Sequence, residues 1–117
     1  MKQTALKLFE KVNLRCRLEQ RRFFHFLNET IAELVARYGE EYVLEPEYVG
    51  GGFRPIESLN DPICIRAVFV DPVLWGILSA ATQDSAMKAE ELRLADDAYV
   101  GMWKDGTKGR RIKRNSW

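Results

Sequence analysis

Histidine occurs once in these 117 residues, cysteine twice and proline four times. Each scarcity removes a class of function. A lone imidazole, His25, has no second ring with which to share a metal or a charge relay, and it reads as an ordinary surface or edge residue. Cys16 and Cys64 stand far apart, with no CxxC and no histidine at ligand spacing, so free thiols are expected rather than a disulfide framework or a zinc site. As a nucleophile Cys16 would need a base, and His25 lies on another element with nothing to orient it. Long uncharged apolar runs are missing too. The most hydrophobic stretch, Ile63 to Gln83 (ICIRAVFVDPVLWGILSAATQ), carries Arg66, Asp71 and Pro72. A membrane span needs about 20 predominantly apolar residues with few or no charges. This stretch is therefore expected to be the buried segment around which a small domain is built.

Motifs for phosphate and acid–base chemistry are equally thin. Gly50-Gly51-Gly52 is followed by neither GxxxxGK[ST] nor a GxGxxG that opens a helix, so it reads as a flexible loop. The paired acids Glu40-Glu41, Glu90-Glu91 and Asp96-Asp97 are sequence neighbours whose side chains diverge on a helix, which makes them solvated faces. No catalytic residue, metal ligand or cofactor-binding residue is nominated, and no cofactor or enzyme activity is expected. Met1-Lys2-Gln3 runs straight into an amphipathic pattern without an apolar run and cleavage site, so synthesis in the cytosol is the expectation.

What is present is helical periodicity and a lopsided charge. The chain fits one domain, with 46% apolar and 30% charged residues. Ala5, Leu6, Leu8, Phe9 and Val12 recur at helical spacing over 4–12. Phe24, Leu27, Ile31, Leu34, Val35 and Tyr38 form a stripe on a helix from about Glu19 to Tyr38, widened by Phe23 and Phe26, with Gly39 as a left-handed stop and Asn28 as a boundary residue with a satisfied amide. Residues 40–49 alternate and read as a short edge strand or extended loop, interrupted by Pro46. Further extended pieces flank the Asn60-Asp61-Pro62 turn. The next helix begins either at Asp71-Pro72 or, as preferred here, near Arg66 with a kink at Pro72. Its stripe of Phe69, Val73, Ile77, Ala80 and Ala81 is joined by Leu74, Trp75 and Leu78, so it is apolar almost all round and offers Phe69, Leu74, Trp75 and Leu78 to a contact between subunits. A last helix, from about Ser85 to Lys104, places Ala89, Leu92, Ala95, Tyr99, Met102 and Trp103 inward, with Glu90, Glu91, Arg93, Asp96 and Asp97 outward, and ends at Asp105-Gly106.

The fold class that follows is mainly α: a small four-helix domain over 1–106 with a short extended or β segment, and a basic C-terminal arm over 107–117. From Lys104 onward there are six basic residues against one acid, a charge of +5. The net charge of +1 then leaves −4 for the first 103 residues. Such an arm meets an anionic partner, either nucleic acid or an acidic protein surface with Ile112 and Trp117 as apolar anchors, or else it is a solvated tail.

Four segments carry a family resemblance: the Asn-bearing helix FLNETIAELVARYG, the extended ESLNDPICI, the apolar RAVFVDPVLWGILSAATQD, and the helix ending in DDAYVGMWK. Together they cover most of residues 19–104 and resemble the head–tail connector, or neck adaptor, proteins of tailed bacteriophages. The resemblance implies a four-helix virion protein assembled as a homo-oligomeric ring beneath the portal. Its other face would meet tail or neck proteins, and DNA would pass through the ring. It places the protein at the virion neck after synthesis in the bacterial host cytoplasm, away from any membrane. It also implies that the C-terminal arm reaches the portal, with Lys108, Arg110, Arg111, Ile112, Lys113, Arg114 and Trp117 as contact residues. The alternative is a small nucleic-acid-binding protein that uses the same arm for non-specific DNA contact.

Overall fold

A computed structural model describes residues 4–51 and 53–104, excluding the side chains of Trp103 and Lys104. Among these residues the chain is mainly helical. Four longer helices, α1 (Ala5–Asn13), α2 (Gln20–Tyr38), α4 (Val70–Thr82) and α5 (Ser85–Lys104), are joined by the single turn α3 (Glu40–Val43) and two 3-10 turns, Pro46–Tyr48 and Ala67–Phe69. The end of the last helix at Asp105-Gly106, and the arm itself, lie outside the described residues.

The first helix buries Ala5, Leu8 and Val12. Its N-terminus lacks a side-chain cap; instead the N–H groups of Ala5 and Leu6 donate to the carbonyls of Asp61 and Leu59, each at 2.9 Å. Loop carbonyls thus satisfy donors that every helix start leaves open. At the other end Asn13 stops the helix: its amide donates to the Phe9 carbonyl at 2.9 Å and its side-chain oxygen accepts from the Leu18 N–H at 3.0 Å. The link to α2 is therefore a tied turn. In α2 the buried stripe is Phe23, Leu27, Thr30, Ile31 and Leu34, centred one residue earlier than the spacing predicts, with Phe24, Val35 and Tyr38 half-buried beside it. Gly39 ends it at φ +99°, a conformation costly for any residue with a Cβ.

The expected strand over 40–49 does not form. Tyr42, Val43 and Leu44 are all buried in succession, which a half-buried edge strand cannot achieve, and Pro46 opens a 3-10 turn. Only Leu44 pairs, bridging Ile65 through Glu45 N–H to the Cys64 carbonyl (2.9 Å) and Arg66 N–H to the Val43 carbonyl (2.8 Å). The extended pieces near 53–66 are present as a strap that buries Ile56, Ile63, Cys64 and Ile65.

The preferred start of the central helix is also corrected. Arg66 is extended, Ala67–Phe69 forms a 3-10 turn, and α4 begins at Val70. Pro72 falls in its first turn, where an N–H would have no helical acceptor, so the helix needs no kink to accommodate it. Asp71 lies inside the helix and does not cap it. Phe69 occupies the capping position.

α4 is the hub, packing on α1, α2 and α5. A left-handed Gln83 (φ +57°) closes it, and Asp84 starts α5 by accepting the Ala86 N–H at 2.8 Å.

Candidate functional site

The residues expected to meet a partner fall into two groups. Lys108, Arg110, Arg111, Ile112, Lys113, Arg114 and Trp117 lie outside the described residues. Of the four offered to a subunit contact, Phe69 and Leu78 are fully enclosed by their own chain and Leu74 is almost so. The all-round apolarity of α4 is consumed by α1, α2 and α5, which corrects the expectation that these side chains face another subunit. Trp75 alone stays half-exposed, with the Arg15 guanidinium carbon 5.4 Å from its ring centroid.

The polar chemistry gathers elsewhere, in a seam where α2, α4 and α5 meet. Gly76 sits in the middle of α4, and a Cβ built there would lie 2.5 Å from Thr30 Cγ2 and 2.9 Å from Glu91 Oε2. The missing side chain lets three helices close on one carboxylate. Glu91 is 1% exposed, correcting its expected place on a solvated face. Its Oε1 is 3.0 Å from Lys88 Nζ, and Lys88 is shared with the exposed Glu33 at 3.3 Å. Burial pushes the Glu91 carboxyl above the ordinary glutamate value, and the Lys88 ammonium offsets this only in part. For Lys88, burial works against the charge, but its hydrogen bonds and attraction to Glu91 and Glu33 outweigh it and hold the ammonium above its ordinary value.

Glu91 stands four residues before Ala95 and eleven before Met102, on the buried stripe of α5. Its charge hid it, whereas Ala89, expected inside, is exposed. The one legible signal was Gly76, since an isolated glycine inside a helix marks close approach. The other acids behave as expected of surfaces: Glu90 and Asp97 pair with Arg93 at 2.6 and 3.1 Å, and Asp96 accepts a short hydrogen bond from the Tyr38 hydroxyl. Burial first, then that bond, push the Tyr38 phenol up to about 12.

Beside the seam runs a groove of about 370 Å³ between α2 and the α4–α5 turn, lined by the exposed Glu29, Glu33, Asp84 and Lys88, the half-buried Ala80 and the buried Thr30, Gly76 and Ser79. It holds one ammonium among three carboxylates. No cluster of metal-ligating side chains occurs among the described residues. His25 lies outside it, exposed and 3.5 Å from Glu29. Such a groove suits a cationic or mixed apolar–cationic side chain.

No family model, curated protein or solved structure matches the chain.

Asn28 supplies the remaining specific arrangement. Its amide donates to the Ile56 carbonyl at 3.0 Å and its oxygen accepts the Ile56 N–H at 2.8 Å, a reciprocal pair that lashes the strap to α2. The satisfied amide was anticipated; its partner, 28 residues away, was not visible in local spacing. No helix among the described residues is long and apolar enough to cross a membrane.

Proposed function

We propose that this protein is a non-enzymatic structural component of a tailed-phage virion, a head–tail connector that assembles as a ring between the portal and the tail or neck proteins, with DNA passing through. One observation carries the reading. The segments in which the resemblance lies fold as one body: α2 bearing Asn28, the strap that Asn28 grips, α4 at the hub, and α5 leading to the arm. A connector needs such a rigid body and a separate means of holding its partner. The +5 segment that follows α5 provides the second, in Lys108, Arg110, Arg111, Ile112, Lys113, Arg114 and Trp117. In a ring, many copies of a weak arm contact act together, so modest single affinities become firm attachment. The mechanism is assembly and uses no cofactor.

The test is truncation. Deleting 107–117 should leave the helical signal and cooperative melting intact while abolishing binding to the portal of the same phage in co-sedimentation. Undiminished binding by the truncated chain would refute the arm's role. The charge of the arm also favours a second reading, a small DNA-binding protein. If five phosphates are neutralised, log affinity for duplex DNA should fall against log salt with a slope of about −4.5. A slope of that size without portal binding would select it.

A further inference from the structure

Charge is unevenly placed within the folded body as well as between body and arm. Residues 4–22 hold six cations (Lys7, Lys11, Arg15, Arg17, Arg21, Arg22) and two carboxylates, whereas residues 23–102 hold five cations and fourteen carboxylates. The helix α1, its turn and the first turn of α2 thus form a basic corner on an otherwise acidic molecule. All six cations are exposed, and none is in an ion pair among the described residues. At the tip of this corner stands Leu14, 86% exposed, the most exposed large apolar side chain among the described residues. Lys11 lies one helical turn before it, and Arg15 and Arg17 follow it.

The groove described above is the counterpart in charge: the carboxylates of Glu29, Glu33 and Asp84 around a lining that includes the half-buried Ala80. Both features are open in the same chain. Trp75, which packs under Arg15 of the corner, and Gly76, which faces Thr30 and Glu91 beneath the groove, are one residue apart on α4 and so point roughly 100° apart around it. The corner and the groove therefore flank α4 on different sides.

We infer that the corner of one copy docks in the groove of the next, Leu14 seating over Ala80 while Lys11 and Arg17 meet Glu29, Glu33 and Asp84. The groove is incomplete without the neighbour, whose cations supply the charge that Lys88 alone does not. Because the two surfaces differ, the contact is head-to-tail, the kind that builds a ring when the rotation between neighbours closes and a filament when it does not. This deepens the connector reading, which it assumes, by naming the surface that joins the subunits.

The experiment is sedimentation of the full chain with two charge-reversed variants at exposed positions, Arg17→Glu in the corner and Glu29→Arg in the groove. The unaltered chain should associate beyond a dimer, more weakly as salt rises. Each variant alone should weaken association on the order of tenfold or more, with an unchanged helical spectrum. Mixed together they should recover association in one-to-one proportion, because the corner of the groove variant fits the groove of the corner variant and the two reversed charges attract each other across the other contact. Leu14→Glu should abolish association outright. Variants that assemble like the parent would overturn this interface while leaving the connector reading standing. Assembly as predicted without portal binding would do the reverse. Should Arg17→Glu spare assembly and instead lower DNA affinity, the corner is a phosphate-binding surface and the inference fails.

Discussion

Gly76 and Glu91 depend on each other, and the dependence is measurable. Gly76→Ala would thrust a methyl group into Thr30 Cγ2 and the Glu91 carboxylate, so it should destabilise the fold by about 1–3 kcal/mol in urea unfolding. Thr30→Ser removes the nearer clash. The double variant should therefore lose less stability than the two single changes predict together. Glu91 predicts a pH effect of definite sign. Its folded form holds a proton more tightly than the unfolded chain, so its stabilising contribution is full below the ordinary value of 4.5 and is lost as pH rises through the raised one. Glu91→Gln should accordingly gain stability relative to the parent as pH goes from about 4 to about 7, read from the difference in urea midpoints. A constant difference across that range would show that the carboxylate is not perturbed. None of this was legible from residue type, because a glutamate beside another glutamate on a helix is ordinarily solvated. Only the packing of three helices on Gly76 reverses the rule.

Helices were legible where one period ran for several turns. α2 has the limits that spacing predicts and α5 begins where predicted, and Gly39 ends α2 in the conformation its lack of a Cβ allows. Short elements were not. Over 40–49 the alternation of Tyr42 and Leu44 favoured a strand, yet burial of Val43 between them turned the segment into a helical turn. At α4 the choice of start hinged on Pro72, and the 3-10 turn before Val70 resolves it by placing the proline in the first turn. The strap over 53–66 is tied to α1 through the carbonyls of Leu59 and Asp61 and to Leu44 at Ile65, and Asn28 is what binds its Ile56 to α2. Asn28→Ala strips both hydrogen bonds from Ile56, and a cost of about 1–3 kcal/mol is expected. Amide exchange should show the strap opening ahead of the helices in this variant, in contrast to a uniform loss across the domain.

At the scale of the whole molecule the organising feature is separation of charge around a helical core. A net charge of +1 conceals a basic corner, an acidic body and a basic arm; the acidic body and the arm were legible in the sequence, and the corner was not. Exposed charges of opposite sign on different faces of one chain favour orientation and assembly over folding, since surface pairs within a chain add little stability. Most of the apolar side chains in the stretch that dominated the sequence, Ile63 to Gln83, are buried within the chain, with Val68 an exposed exception, so the proposed contact between copies draws on polar surfaces and exposed apolar residues such as Leu14. The central claim, that the arm fastens this body to a portal, is tested most directly by mixing portal rings of the same phage with the full chain and imaging the particles. The account predicts one added ring-shaped layer on the portal with the full chain and a bare portal with the chain ending at residue 106. Bare portals with the full chain at saturating concentration, or an equal layer with both chains, would contradict it.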